Sequence, residues 1–198
     1  MRKIYLMRHG QPAFADSRHY CLGSRTDLPL APAGERQAEP MREFLRDKNI
    51  EAYYCSPLLR CRQMMQIILP SGISPAIVQG LREIDMGIWD GLPFSEIKEC
   101  YPQQFQERGQ NIADFQVPEG ESFAQCAKRA QCVWQYIINT TTGNVAIMAH
   151  AGINRTLLCD LLDKPLAELL DIEQPYGCIN IISQENESFI IEQTGYLP

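Results

Sequence analysis

IYLMRHGQP, residues 4–12, runs four apolar or aromatic residues straight into an arginine, a histidine and a glycine. A short continuous apolar run reads as a strand buried on both faces of a sheet. Its end admits two readings. In the plain one the strand leaves the core through a turn at Gly10. In the chemical one His9 is a reactive imidazole held at the sheet edge beside an anion-binding Arg8. Three residues do not choose between these, but the ends of the other strands do.

NVAIMA (144–149) is a second apolar strand, followed at once by His150 and a helix over 152–163. EAYYC (51–55) is a short strand, followed by SPLLRCRQMMQIIL (56–69). That segment predicts a helix with Ser56 as its cap, Pro57 at its first position and Arg60 on its first turn. Helical charge patterning marks 34–48, where Pro40 predicts a kink or a late start. PAIVQ (75–79) is a weaker strand, and 122–139 is a long helix with Ser122 as its cap. CINIIS (178–183) and SFIIEQ (188–193) predict a closing hairpin around Glu185-Asn186-Glu187. Strands alternating with helices predict an α/β fold, a three-layer α/β/α sandwich around a mostly parallel central sheet.

In such sheets ligands bind beyond the carboxyl ends of the strands. Arg8-His9-Gly10, Cys55-Ser56-Pro57 with Arg60, and His150-Ala151-Gly152 all fall there and can share one edge. Residues 84–121 are aromatic, turn-rich and poorly periodic, so they read as a small inserted cap on a single domain spanning 1–198.

Composition narrows the partners. The formal net charge of −6 argues against nucleic acid and against a membrane surface, yet permits a local basic pocket for a small phosphorylated metabolite. No run approaches the ~18 apolar residues of a membrane span. Eight cysteines occur without a CxxC pair, and the N-terminus lacks a signal-peptide pattern, so a cytoplasmic protein with reduced thiols is expected. The histidines at 9, 19 and 150 show no metal-type spacing, and neither a metal nor another cofactor is expected. A homodimer is left open.

Two histidines and two arginines on one edge suit phosphoryl transfer. Arginines grip phosphate oxygens, and a neutral imidazole attacks phosphorus in line. The helix starting near Gly152 would aim free backbone N–H groups at the same oxygens. LREIDMG (81–87) offers Glu83 and Asp85 to protonate a leaving group, with Glu83 preferred. A partly buried carboxyl beside a phosphate is expected to have a raised pKa. Gln11, Ser24 and Arg25 are rim candidates. Trp89, Phe94 and Tyr101 are either a small core in the cap or an aromatic wall for a ring-bearing substrate.

MRHG (7–10), SPLLRCRQM (56–64), LREIDMGIWDG (81–91) and AHAGINR (149–155), with GSRTDLPLAPAGERQA (23–38) between the first two, resemble the histidine phosphatase superfamily, the phosphoglycerate mutase-like family. The resemblance covers nearly the whole chain in order. It implies His9 as the phosphorylated nucleophile, Arg8 and Arg60 as phosphate ligands and His150 as the second pocket histidine. It further implies Glu83 as proton donor and then base for water, Ala151 and Gly152 as backbone donors, and no metal. Within the family, IDMGIWDGLPFSEI with PEGESF (118–123) most resembles the cobalamin-pathway branch, the α-ribazole-5′-phosphate phosphatases. A phosphoglycerate mutase or a broad-specificity sugar phosphatase is the neighbouring reading. Pro12 and Ala15 stand where the family often has Thr or Ser and Asn, which weakens the mutase reading and keeps a phosphate-binding module without turnover in play.

Overall fold

The computed structural model describes residues 1–198. Its strands are β1 (Arg2–Arg8), β2 (Ile50–Cys55), β3 (Ala76–Ile77), β4 (Asn144–Ala149), β5 (Ile179–Glu185) and β6 (Ser188–Tyr196). Its α-helices are α1 (Pro32–Leu45), α2 (Leu59–Ile68), α3 (Phe94–Cys100), α4 (Pro102–Gln110), α5 (Phe123–Thr140) and α6 (Ala151–Leu161). The strands form one sheet in the order β3-β2-β4-β1-β5-β6. The first four are mutually parallel, β5 runs antiparallel to β1, and β6 closes a hairpin with β5.

Side-chain alternation decides which helix packs where. In β1, Ile4 and Leu6 share one core with Val145, Ile147 and Ala149 of β4. Tyr5 and Met7 share the other with Ala146 and Met148. α5 and α6 fill the first core with Trp134, Ile137, Ile153 and Leu158. α1 and α2 fill the second with Met41, Leu45, Met64 and Met65. The two central strands are thus covered on both sides, which is why they are apolar without a break. Each such Leu or Ile contributes about 1.5–3 kcal/mol relative to exposure.

Several local expectations are corrected. α1 begins at Pro32 and continues through exposed Pro40 to Leu45, so the proline does not mark a late start. Ser56 is not the cap of α2. The helix starts at Leu59, whose orphan N–H donates to Asp27 Oδ1 at 2.6 Å, and Ser56 is free for another task. β3 is reduced to two residues. Ser122 does cap α5, in a reciprocal box with Gln125. The β5–β6 turn puts Asn186 at φ 55°, a left-handed conformation that Asn tolerates.

Residues 84–121 hold a 3₁₀ turn (Gly87–Trp89), α3 and α4. Trp89 is fully buried and packs on Phe115 with ring centroids 5.6 Å apart, flanked by Tyr101 and Phe105. It belongs to the first core, together with Ile84, Met86 and Ile97. Trp89 is therefore packing and offers no face to a ligand. No helix is long and apolar enough to cross a membrane.

Candidate active site

The parallel register brings three strand ends level. Arg8 pairs with Ala149, and Cys55 with Met148. One residue further on, the His9 N–H donates to the Ala149 carbonyl at 3.2 Å and the Ser56 N–H to the Met148 carbonyl at 2.9 Å. His9, Ser56 and His150 therefore leave the sheet side by side.

His9 is buried, with Nδ1 2.7 Å from the Gly10 carbonyl. A carbonyl only accepts, so Nδ1 carries the proton and Nε2 the in-plane lone pair. That lone pair receives Arg60 Nε–H at 3.3 Å. Burial first, then the cations Arg60 and Arg8, hold the His9 pKa well below the usual imidazole value, against the opposing effect of the Gly10 hydrogen bond. The His150 ring stands at 63° to His9 with centroids 5.0 Å apart. Its Nε2 is 2.7 Å from Ser56 Oγ, and burial followed by Arg60 and His9 also pushes its pKa well down. Both imidazoles are thus neutral near pH 7.

Arg60, on the first turn of α2, is fully buried. Its Nη1 donates to the Thr26 carbonyl at 3.2 Å and its Nη2 to the Gly23 carbonyl at 3.0 Å. That loop is itself fastened: Asp90 accepts the N–H groups of Gly23 (3.2 Å), Arg25 (2.9 Å) and Thr26 (3.3 Å). Arg8 lies over the Tyr176 ring, 3.8 Å from its centroid, and donates through Nη1 to the Gln174 carbonyl. Its Nε is buried without a hydrogen-bond partner, so an N–H remains for an anion.

Glu83 and Asp85 separate. Glu83 is buried, and its oxygens accept the N–H groups of Ile84 (2.9 Å), Gly152 (3.0 Å) and Ile153 (3.1 Å). Asp85 pairs with Arg25 Nε at 2.7 Å, 25 % exposed, and faces the loop. The Gly152 N–H expected to meet phosphate thus serves Glu83 instead: the amino end of α6 binds a carboxyl of the protein itself. Ala151 is buried at the first position of that helix. Ser24 is half-buried in the loop that Asp90 anchors. Gln11 is exposed, and its N–H donates to Gln37 Oε1 at 2.9 Å.

The structure brings Arg8, His9, Arg60, Glu83 and His150 together and adds groups that the sequence did not announce. Ser56 had been read as a helix cap. Tyr176 and Gln174 lie in an aperiodic turn, EQPYGC, with no signal of their own. Met64, part of the second core, also accepts the Gly10 N–H on sulfur at 2.8 Å.

A family model described as "Histidine phosphatase superfamily (branch 1)" matches residues 4–196. The wheat (Triticum aestivum) 2-carboxy-D-arabinitol-1-phosphatase is 33% identical over 81% of this chain and 32% of its own length. The chain spans about a third of the length of the curated relatives it matches. Among solved structures, Bacillus stearothermophilus YhfR superposes with a TM-score of 0.89 at 26% identity, covering 98% of this chain and 97% of that one. The α-ribazole phosphatase from Shigella flexneri gives 0.88 at 19% identity over 98% and 96%, a likeness of fold alone.

Proposed function

The chain belongs to the histidine phosphatase superfamily (branch 1), and from that premise we propose that it hydrolyses small phosphate monoesters through a phosphohistidine at His9. One observation carries the reading: a buried neutral imidazole whose Nε2 lone pair is turned toward Arg60, with an unpartnered Arg8 N–H and a second neutral histidine beside it.

The Nε2 lone pair attacks phosphorus as the ester P–O bond breaks, and the leaving oxygen takes a proton from Glu83. Water then attacks the phosphohistidine while the Glu83 carboxylate takes a proton from it, releasing inorganic phosphate and free His9. Arg8, Arg60 and His150 stabilise the charge on the transferring group. Glu83 supports the acid role better than Asp85 does, because Asp85 is engaged with Arg25 at the rim.

For substrate, the motifs around 81–91 and 118–123 favour α-ribazole 5′-phosphate over a phosphoglycerate or a generic sugar phosphate. Trp89 is buried in the core and adds nothing to that choice, which rests on the motifs. The test is phosphate release, with EDTA present, from α-ribazole phosphate, 3-phosphoglycerate, fructose bisphosphates and p-nitrophenyl phosphate. A marked preference for α-ribazole phosphate upholds the full reading, and thinly spread release upholds only the phosphatase. An isomerised ester would indicate a mutase. No turnover of any compound would indicate a binding module.

A further inference from the structure

Glu83 rides on a segment without a strand neighbour. After β3 the chain makes one 3₁₀ turn (Gln79–Leu81) and then crosses the sheet end as Arg82-Glu83-Ile84-Asp85. Backbone carbonyls outside a sheet need partners. Here three of them converge on one side chain of α5. Arg129 Nη1 donates to the Gly80 carbonyl at 2.7 Å and the Arg82 carbonyl at 3.0 Å, and its Nη2 lies 3.5 Å from the Glu83 carbonyl. The other edge of the guanidinium is bidentate on Glu121, Nε–Oε1 at 3.0 Å and Nη2–Oε2 at 2.8 Å. Glu121 Oε2 in turn accepts the Asp85 N–H at 3.0 Å. The segment is thus gripped on both sides of Glu83 by one ion pair.

Two further facts show that the grip is tight. A Cβ on Gly80 would meet Val133 Cγ2 of α5 at 2.2 Å, so any larger residue would force the segment or that side chain to shift. And the Glu83 carboxyl is fixed at its far end by the N–H groups of Gly152 and Ile153.

We infer that Arg129, held by Glu121, is a positioning residue for Glu83: it sets the backbone from which the carboxyl reaches the amino end of α6. The inference rests on the acid role proposed for Glu83. Lysine cannot reproduce it, because a single ammonium lacks the planar fork that serves a carboxylate on one edge and carbonyls on the other.

Arg129→Lys, Arg129→Met and Glu121→Gln test this with two readouts. The first is independent of turnover: amide hydrogen exchange of Gly152 and Ile153, which donate to Glu83. Arg129→Lys is expected to speed their exchange about tenfold while interior amides of α5 keep their protection. The second is phosphate release across esters of rising leaving-group pKa. Alkyl phosphates are expected to lose roughly 10- to 100-fold and p-nitrophenyl phosphate less than about threefold, with no further loss when Glu83→Gln is added. Unchanged protection of the two amides overturns the inference whatever the turnover. So do equal losses on all esters in Arg129→Lys, or losses that add to those of Glu83→Gln. A Glu83→Gln protein that loses alkyl and aryl esters equally overturns the acid role itself, and the inference with it, on a separate measurement.

Discussion

Arg60 Nε stands 3.3 Å from His9 Nε2, so the nitrogen that carries the lone pair faces a fixed cation. Protonation there would set two positive groups against each other in a buried site. The contact therefore favours an unprotonated Nε2, the state that the proposed attack on phosphorus requires.

Removing that cation should move the titration of His9. Burial is the larger cause of its low pKa and stays, but Arg60 is the next. In Arg60→Met the His9 pKa is expected to rise, and turnover to fall by about 10²–10³ with the loss of a charged donor. With three histidines in the chain, the imidazole resonances can be followed individually by NMR. A His9 titration that stays in place in Arg60→Met would mean that the guanidinium does not control its charge.

The same depressed values bear on stability against pH. For His9 and His150 the folded-state pKa lies below the unfolded value of about 6.5. The unfolded chain therefore binds protons first as the medium is acidified. Stability is full above about pH 6.5 and declines as pH falls toward the folded values, by at most about 1.4 kcal/mol per pH unit for each histidine. Urea midpoints measured between pH 7 and pH 5 should fall less steeply for His150→Asn than for the parent chain. Equal slopes would show that His150 titrates alike in the folded and unfolded states.

Asp90 is where the segment 84–121 meets the loop that holds Arg60. It holds the N–H groups of Gly23, Arg25 and Thr26, and the carbonyls of Gly23 and Thr26 hold Arg60. Asp90→Asn turns one acceptor into a donor that faces an N–H. It is expected to lower stability by about 1–3 kcal/mol and to raise KM for small phosphates more than it lowers kcat. Denaturation together with steady-state kinetics reads both. An unchanged KM would detach the loop from the placement of Arg60.

The layers were legible because their signal is periodic and local. Ile4 to Met7 and Val145 to Ala149 are apolar without a break, and each is followed by residues that cannot continue a buried strand. Arg8, His9, Arg60 and His150 were legible for the same reason, since each follows a strand or opens a helix, whereas Glu83 lies between two 3₁₀ turns and was marked only by its LREIDMG motif. What stayed hidden depends on contacts across the chain. Ser56 looks like a cap in sequence, and only the approach of His150 from 94 residues away gives it another partner. Gly152 looks like a phosphate donor until Glu83 folds back onto it from 69 residues away. Trp89 reads as core or as wall, because burial is not a property of an isolated segment. Arg129 sits inside a helix whose pattern reports packing alone.

The closest backbone approach in the site supplies a last prediction. A Cβ on Gly10 would meet the Gly34 carbonyl oxygen at 2.5 Å and the Gly34 Cα at 2.8 Å. A Cβ on Gly34 would meet the Gln11 carbonyl oxygen at 2.3 Å in return. Both partners are backbone, so no flexible side chain can yield, and either the exit from β1 or the first turn of α1 must shift. The Gly10 carbonyl is also the acceptor that fixes the His9 tautomer. Gly10→Ala is therefore expected to cost about 1–3 kcal/mol of stability and to lower turnover by more than about 10². Gly109→Ala is the control: it lies in α4 with nothing within 4 Å of the added carbon, and it should gain about 0.5–1 kcal/mol. If Gly10→Ala melts with the parent chain and keeps its activity, the strand exit is more pliable than this contact implies, and His9 does not depend on Gly10 for its orientation.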